Sequence, residues 1–333
     1  MKIPVYKPTF FGNEKEYVNK CLDDGWISSR GEFVNRFEQA FSSYVGSEYS
    51  VGVSNGTVAL HLALLAIGVS PGDEVIVPTF TYISSVNAIK YCGAKPIFVD
   101  STRSTWQIDP NEVEKRISAK TKAIMMVHLY GYPCDIDSIS EIAKRNNLKV
   151  IEDCAEALGT RYKNNHVGVS SDVATFSFYG NKTITTGEGG MVITNSEEVF
   201  KKVVKLKGQG LAENKEYFHD IIGYNYRLTN ICAAMGLAQL EQIETILSKK
   251  KFIAQAYKNG FKDLPVFFHD KESPNIKHSY WMNSILTSSS IERDELRNHL
   301  RFNGIDTRPT FFPIHTMPMY KSDEAYPVAD DIA

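Results

Sequence analysis

Ser50-Val51-Gly52-Val53-Ser54-Asn55-Gly56-Thr57-Val58-Ala59-Leu60-His61-Leu62-Ala63-Leu64-Leu65-Ala66-Ile67 reads as a short strand that breaks at Gly56 into a helix apolar nearly all round. A helix without a polar face has to be covered on every side, so this segment belongs inside a layered protein. The runs at 74–78, 96–100, 123–128 and 149–153 are short and β-rich, with helical segments at about 82–92, 111–118 and 135–146 between them. Such alternation predicts βαβ units on a mainly parallel sheet covered on both faces, an α/β fold. Residues 173–178 and 191–194 add two strands, close enough to be neighbours through a glycine-rich connection.

Outward from this centre, residues 12–22 and 31–44 carry apolar residues at helical spacing, as do 197–207 and 230–258. In the last run Leu237, Leu240, Ile243 and Leu247 form one stripe, and Lys249-Lys250-Lys251 reads as a solvated face. Residues 280–286 are strand-like, 291–303 helical, and 308–315 proline-rich. These features predict a large α/β domain over 1–245 and a smaller C-terminal α+β domain over 246–333. The chain stops at Asp331-Ile332-Ala333 without a closing element, so a missing tail is expected.

Composition narrows the function classes. Of 333 residues, 43% are hydrophobic and 23% charged, an ordinary globular balance. Thirty-seven basic against thirty-nine acidic side chains give a net charge of -2, so no basic field recruits nucleic acid or a membrane surface. Five cysteines without a CxxC pair indicate neither a disulfide framework nor a zinc ribbon, and fit a reduced, cytoplasmic setting. The N-terminus lacks the apolar core of a signal peptide, and no run reaches the ~18 apolar residues a membrane helix needs. No GxGxxG follows an early strand, which argues against a nicotinamide enzyme.

Three positions answer one another chemically. Ser54-Asn55-Gly56-Thr57 opens the apolar helix, where free N–H groups and the dipole favour an anion such as phosphate; alone it reads more readily as a plain helix cap. Asp153 ends an apolar strand at the edge where ligands gather in α/β sheets, and no His or Cys cluster accompanies it to make a metal site; alone it is equally a cap for a following helix. Lys182, in the loop Ser177-Phe178-Tyr179-Gly180-Asn181-Lys182-Thr183-Ile184-Thr185-Thr186-Gly187-Glu188-Gly189-Gly190, could supply a nucleophilic amine, although an isolated lysine after a strand is usually a surface charge. A phosphate site, a carboxylate for a ring nitrogen and an amine for an aldehyde are the three anchors that pyridoxal 5'-phosphate (PLP) requires. Tyr82 could add a ring to stack on such a cofactor, or be core.

Ser54–Thr57, Gly72-Asp73-Glu74-Val75-Ile76-Val77-Pro78, Ile151-Glu152-Asp153-Cys154-Ala155-Glu156-Ala157, the lysine loop and Gly223-Tyr224-Asn225-Tyr226-Arg227 together resemble the PLP-dependent nucleotide-sugar aminotransferases of the DegT/DnrJ/EryC1/StrS family, over essentially the whole chain. The resemblance implies a fold-type I aminotransferase and a homodimer with shared active sites. It also implies residue roles. Lys182 would carry the cofactor's aldehyde carbon as a Schiff base and move the proton, Asp153 would pair with the ring nitrogen, and Tyr82 would lie against the ring. Gly56, Thr57 and Ser177 would bind the phosphate, joined by Asn225 of the other subunit. Glu156 stands near the ring hydroxyl where relatives often have His or Gln, a departure that leaves its role open between tuning the site and positioning the donor. Arg308 and His315 resemble positions near the nucleotide-sugar, or stiffen a surface loop.

The lysine loop and Lys207-Gly208-Gln209-Gly210-Leu211 most resemble members that aminate a GDP-linked sugar. L-Glutamate would then donate its amine to the 4-keto carbon of GDP-4-keto-6-deoxy-D-mannose, giving GDP-perosamine for a surface polysaccharide such as the O-antigen of lipopolysaccharide. UDP- or dTDP-linked keto-sugars stay open as alternatives. So does a PLP-dependent sugar dehydratase, against which Lys182 argues because such enzymes carry histidine there.

Overall fold

The computed structural model describes residues 2–271 and 273–333. Two helices, α1 (Glu14–Asp23) and α2 (Glu32–Val45), lead into β1 (Tyr49–Val53) and the apolar helix α3 (Gly56–Ala66). Then come β2 (Glu74–Pro78), α4 (Ile83–Tyr91), β3 (Lys95–Val99), α5 (Pro110–Lys115), β4 (Thr121–Val127), α6 (Ile136–Arg145) and β5 (Lys149–Asp153). A short hairpin of β6 (Arg161–Tyr162) and β7 (Asn165–His166) precedes β8 (Val173–Ser177), the lysine loop and β9 (Gly190–Thr194). The expected βα alternation is therefore present, with each boundary within a few residues.

The seven-stranded sheet runs β1-β9-β8-β5-β4-β2-β3. From β8 to β3 every pairing is parallel, while β9 is antiparallel to both β8 and β1. This α/β architecture places the carboxyl ends of β1, β2, β5 and β8 along one edge. The lysine loop is thus a strand-end connection two strands in from the sheet edge.

Helices cover both faces. Residues 59–64 of α3 are all buried, as an all-round apolar helix demands. One core gathers α3 and α4 against one face of the sheet. The other sets Phe37 and Phe41 of α2 against Phe176 and Phe178, and Phe33 against Tyr17 of α1, with α8 (Asn230–Glu241) beside them. Helix α7 (Glu197–Lys207) lies between β9 and the loop that leads to α8.

Three expectations are corrected. The run at 230–258 is two helices, α8 and α9 (Ile243–Phe261), which turn at Gln242 although no glycine or proline marks the place. Of the three lysines read as a solvated face, Lys249 and Lys251 are exposed but Lys250 is half-buried, its Nζ donating to the Trp281 carbonyl at 3.2 Å. Three consecutive helical residues span about 200° of the circumference, so they cannot all face water on a helix that packs on one side. At 280–286 only β12 (Ile285–Leu286) is a strand, paired with β10 (Phe267–Phe268), because Tyr280 takes φ 52° and turns the chain so that Trp281 is buried.

The remaining pieces return to the main body. β11 (Ile276–Lys277) pairs with β6, and α10 (Ser290–Phe302) matches the helix expected at 291–303. α11 (Pro327–Ile332), which the sequence reading left as chain without an element, buries Ala329 and Ile332 in the core shared with α3 and β2. Asp100, at the end of β3, accepts from the Val328 and Ala329 amides at 3.0 and 2.8 Å, so it caps a helix more than two hundred residues away.

Candidate active site

Strand register brings the anchors to one rim. Gly190 of β9 pairs with Val53 on one side and Ser177 on the other, so the residues that follow β1 lie beside the end of β8. Backbone contact there is close enough to exclude side chains. A Cβ on Gly190 would sit 2.6 Å from the Asn55 carbonyl carbon, and one on Gly56 would sit 2.7 Å from Ser177 Cβ. Asn55 caps α3 by accepting from the Val58 amide at 3.0 Å, and Thr57 Oγ1 donates to Ser84 Oγ at 3.0 Å. The helix start, Gly56, Thr57, Ser84 and Ser177 form a small polar cradle of the kind that holds a phosphate.

One row over, β5 ends on two carboxylates that point to opposite faces, as alternation along a strand requires. Glu152 turns to the core and meets His128 Nε2 at 2.7 Å, both side chains fully buried. Asp153 faces the rim; its Oδ2 accepts from Ser85 Oγ at 2.7 Å and its Oδ1 from the Ala155 amide at 3.0 Å. Two of its roughly four acceptor positions are taken, which fixes the carboxylate and leaves capacity for a protonated ring nitrogen.

The lysine loop is tightly braced. Lys182 N donates to Tyr179 O at 2.9 Å, Thr186 N to Phe178 O at 2.9 Å, and Phe178 N to Gly189 O at 2.8 Å. From outside, Tyr6 Oη donates to the Lys182 carbonyl and Trp281 Nε1 to the Asn181 carbonyl, each at 2.8 Å. The Lys182 side chain is 13% exposed, with Nζ 3.6 Å from Glu156 Oε1 and 4.1 Å from the centre of the Trp281 ring.

Glu156 is buried, and its Oε2 accepts from the Tyr130 amide at 2.7 Å. Burial pushes its carboxyl up to about 7; the Lys182 charge and the Tyr130 N–H pull in the opposite direction without overcoming it. Tyr130 itself has φ 56°, a left-handed conformation that costs a non-glycine residue on the order of 1–3 kcal/mol. Its ring stacks between Trp281 and Phe311, and its hydroxyl accepts from the Phe311 amide at 3.2 Å.

The other expected site residues fall in different settings. Tyr82 is half exposed as the residue before α4, its ring 5.4 Å from that of Phe311. Asn225 is exposed, its Oδ1 accepting from Arg227 at 3.3 Å within the same segment. His315 is buried with its ring nitrogens facing Thr79 Oγ1 at 2.8 Å and Asp330 Oδ1 at 3.2 Å, while Arg308 is exposed and paired with Asp306 at 2.7 Å. The structure thus gathers the cradle, Asp153, Glu156 and Lys182 on one edge of the sheet. Arg308 is taken up by Asp306, and His315 bridges Thr79 at the end of β2 and Asp330 of α11.

Sequence reasoning missed Tyr6, Ser85, Tyr130, Trp281 and Phe311. Trp281 had a faint signal as one of only three tryptophans; the others depend on chain segments meeting in space. The site fits PLP on its own geometry: the glycine-walled cradle suits the phosphate, fixed Asp153 the ring nitrogen, and shielded Lys182 the aldehyde.

Comparison with known proteins agrees. The model of the DegT/DnrJ/EryC1/StrS aminotransferase family matches residues 10–333. The GDP-perosamine synthase of Escherichia coli O157:H7 is 59% identical over 331 residues, covering 99% of this chain and 90% of that protein. The GDP-perosamine synthase of Vibrio cholerae is 50% identical over 321 residues, covering 96% and 87%. Among solved structures, the PLP form of Spr1654 from Streptococcus pneumoniae superposes with a TM-score of 0.93 at 29% identity, covering 99% of this chain and 91% of that chain.

Proposed function

Because the chain belongs to the DegT/DnrJ/EryC1/StrS aminotransferase family and is a PLP-dependent sugar aminotransferase, we propose that it moves the amine of L-glutamate to the 4-keto carbon of GDP-4-keto-6-deoxy-D-mannose, giving GDP-perosamine. The observation that carries the choice of sugar is the identity with the two GDP-perosamine synthases, which extends over nearly the whole chain.

When bound, PLP supplies an aldehyde that accepts the donor's amine and a ring that withdraws electrons from the carbon losing its proton. The protein's part follows from the site. Lys182 would present its amine from a braced loop and then, in each half-reaction, move a proton between the two carbons on either side of the transferred nitrogen. Asp153, held by Ser85 and the Ala155 amide, keeps the ring nitrogen protonated. The Gly56 and Ser177 cradle would hold the phosphate, which keeps the cofactor in the site between half-reactions. Glu156, with a carboxyl near 7, sits 3.6 Å from the lysine amine and can hold or release a proton beside it. Trp281 and Tyr130 shield the amine from bulk water.

We read the active form as a homodimer with shared sites. Support comes from the segment between α7 and α8, where Tyr217 is 94% and Ile222 87% exposed, with Leu211, Phe218 and Ile221 also exposed, beside exposed Asn225. Such an apolar patch on a folded chain marks an interface. A cytoplasmic location agrees with five free cysteines, four of them buried, and with the absence, among the described residues, of a helix long and apolar enough to cross a membrane.

Purified protein loaded with PLP and incubated with L-glutamate and the GDP-keto-sugar should give an aminated GDP-sugar by mass spectrometry. Amination of only UDP- or dTDP-linked keto-sugars would remove the substrate assignment and leave the family intact. Borohydride should trap the cofactor on Lys182.

A further inference from the structure

Two lysines flank Trp281 and differ in one respect. Lys182 faces Glu156. Lys250, on α9, has no carboxylate partner among the described residues: its Nζ donates to the Trp281 carbonyl and lies 5.7 Å from the Tyr6 ring. Both of those neighbours hold the catalytic loop, since Tyr6 binds the Lys182 carbonyl and Trp281 binds the Asn181 carbonyl. Tyr6 cannot neutralise the lysine, because burial raises its hydroxyl above the ordinary phenol range and keeps it uncharged. Burial without a counter-charge lowers the Lys250 ammonium to about 8.

A half-buried ammonium without a counter-charge is less stable than one in water, and an arriving anion relieves that. A perturbed lysine beside a reaction centre is a functional-site signal when geometry also places it there. We propose that Lys250 binds an oxyanion of a substrate, a carboxylate of the amino donor or a phosphate of the nucleotide-sugar, at the side of the site bounded by Tyr6 and Trp281. The proposal rests on the aminotransferase reading but not on which sugar is aminated. The partners of Lys250 among the described residues are Trp281 and Tyr6, not the cradle, so the role proposed for it is recognition. Arrival of the anion would also lift the ammonium, so at pH 8 binding takes up as much as about half a proton per site.

The test uses PLP-loaded protein and two probes, glutarate and GDP. Trace acetylation followed by peptide mass spectrometry reads Lys250 against its exposed neighbours Lys249 and Lys251, which serve as internal controls. One probe should slow Lys250 labelling at least fivefold and leave the neighbours unchanged. Protection by glutarate identifies the donor's carboxylate, and protection by GDP the nucleotide's phosphate. Calorimetric titration of the same probes should show affinity for one of them falling roughly tenfold or more in Lys250→Met, as loss of a charged hydrogen bond implies, with recovery in Lys250→Arg. Equal labelling with and without both probes, or equal affinities in all three proteins, overturns the proposal. Failure to aminate the GDP-keto-sugar while Lys250 still binds one probe would refute only the substrate assignment.

Discussion

Glu156→Gln should make the cofactor-free protein more heat-stable, relative to the parent, as pH rises. Glutamine keeps the shape and an acceptor for the Tyr130 amide but cannot ionise. In the parent the folded carboxyl titrates near 7 against an ordinary 4.5. A carboxyl whose folded pKa is raised contributes stability that is complete below pH 4.5 and is lost as pH climbs through 7, because the folded state holds the proton more tightly. The whole effect is about 3 kcal/mol, at 1.36 kcal/mol per pKa unit, and about 2.5 kcal/mol of it falls between pH 5 and pH 8. A 333-residue chain unfolds with an entropy of about 0.7 kcal/mol/K, so the gap between variant and parent midpoints should widen by about 4 °C over that range. Differential scanning fluorimetry at pH 5, 6, 7 and 8, with protein concentration fixed, measures the gap. Any constant offset from lost packing cancels. Parallel midpoint curves, agreeing to about 1 °C after subtraction of the offset, would show that Glu156 is not the buried high-pKa group described here.

Gly56→Ala should weaken PLP binding by roughly five- to 150-fold in a spectrophotometric titration, since the added methyl lies 2.7 Å from Ser177 Cβ and displacing that strand end costs on the order of 1–3 kcal/mol; unchanged affinity would mean the cradle does not hold the phosphate. Asp100→Ala removes the acceptor for two amides of α11 and should cost about 1–2 kcal/mol, or roughly 2 °C in midpoint, while borohydride trapping on Lys182 is retained. Loss of trapping at unchanged midpoint would reverse that assignment.

Much of the fold was legible because its signals are local. The break from strand to helix at Gly56, the all-apolar α3 and the repeated short runs each follow from residue spacing, and together they require a parallel sheet with helices on both sides. The three cofactor anchors were legible for a related reason: each is a residue type at a strand end, and strand ends on a parallel sheet share one rim. Register then did what spacing could not. It set Ser177, Gly190 and Val53 side by side, and it decided that Asp153 rather than Glu152 faces the site. Trp281 reaches the lysine only because Tyr280 adopts a left-handed turn inside a segment that reads as a strand. Lys250 looked solvated among three lysines because a run of like charges carries no information about which way its helix is packed. Sequence by itself determined the layers, the chemistry of the anchors and the family. Tertiary structure alone decided the burial of Glu156 and Lys250, since desolvation depends on what distant segments bring alongside.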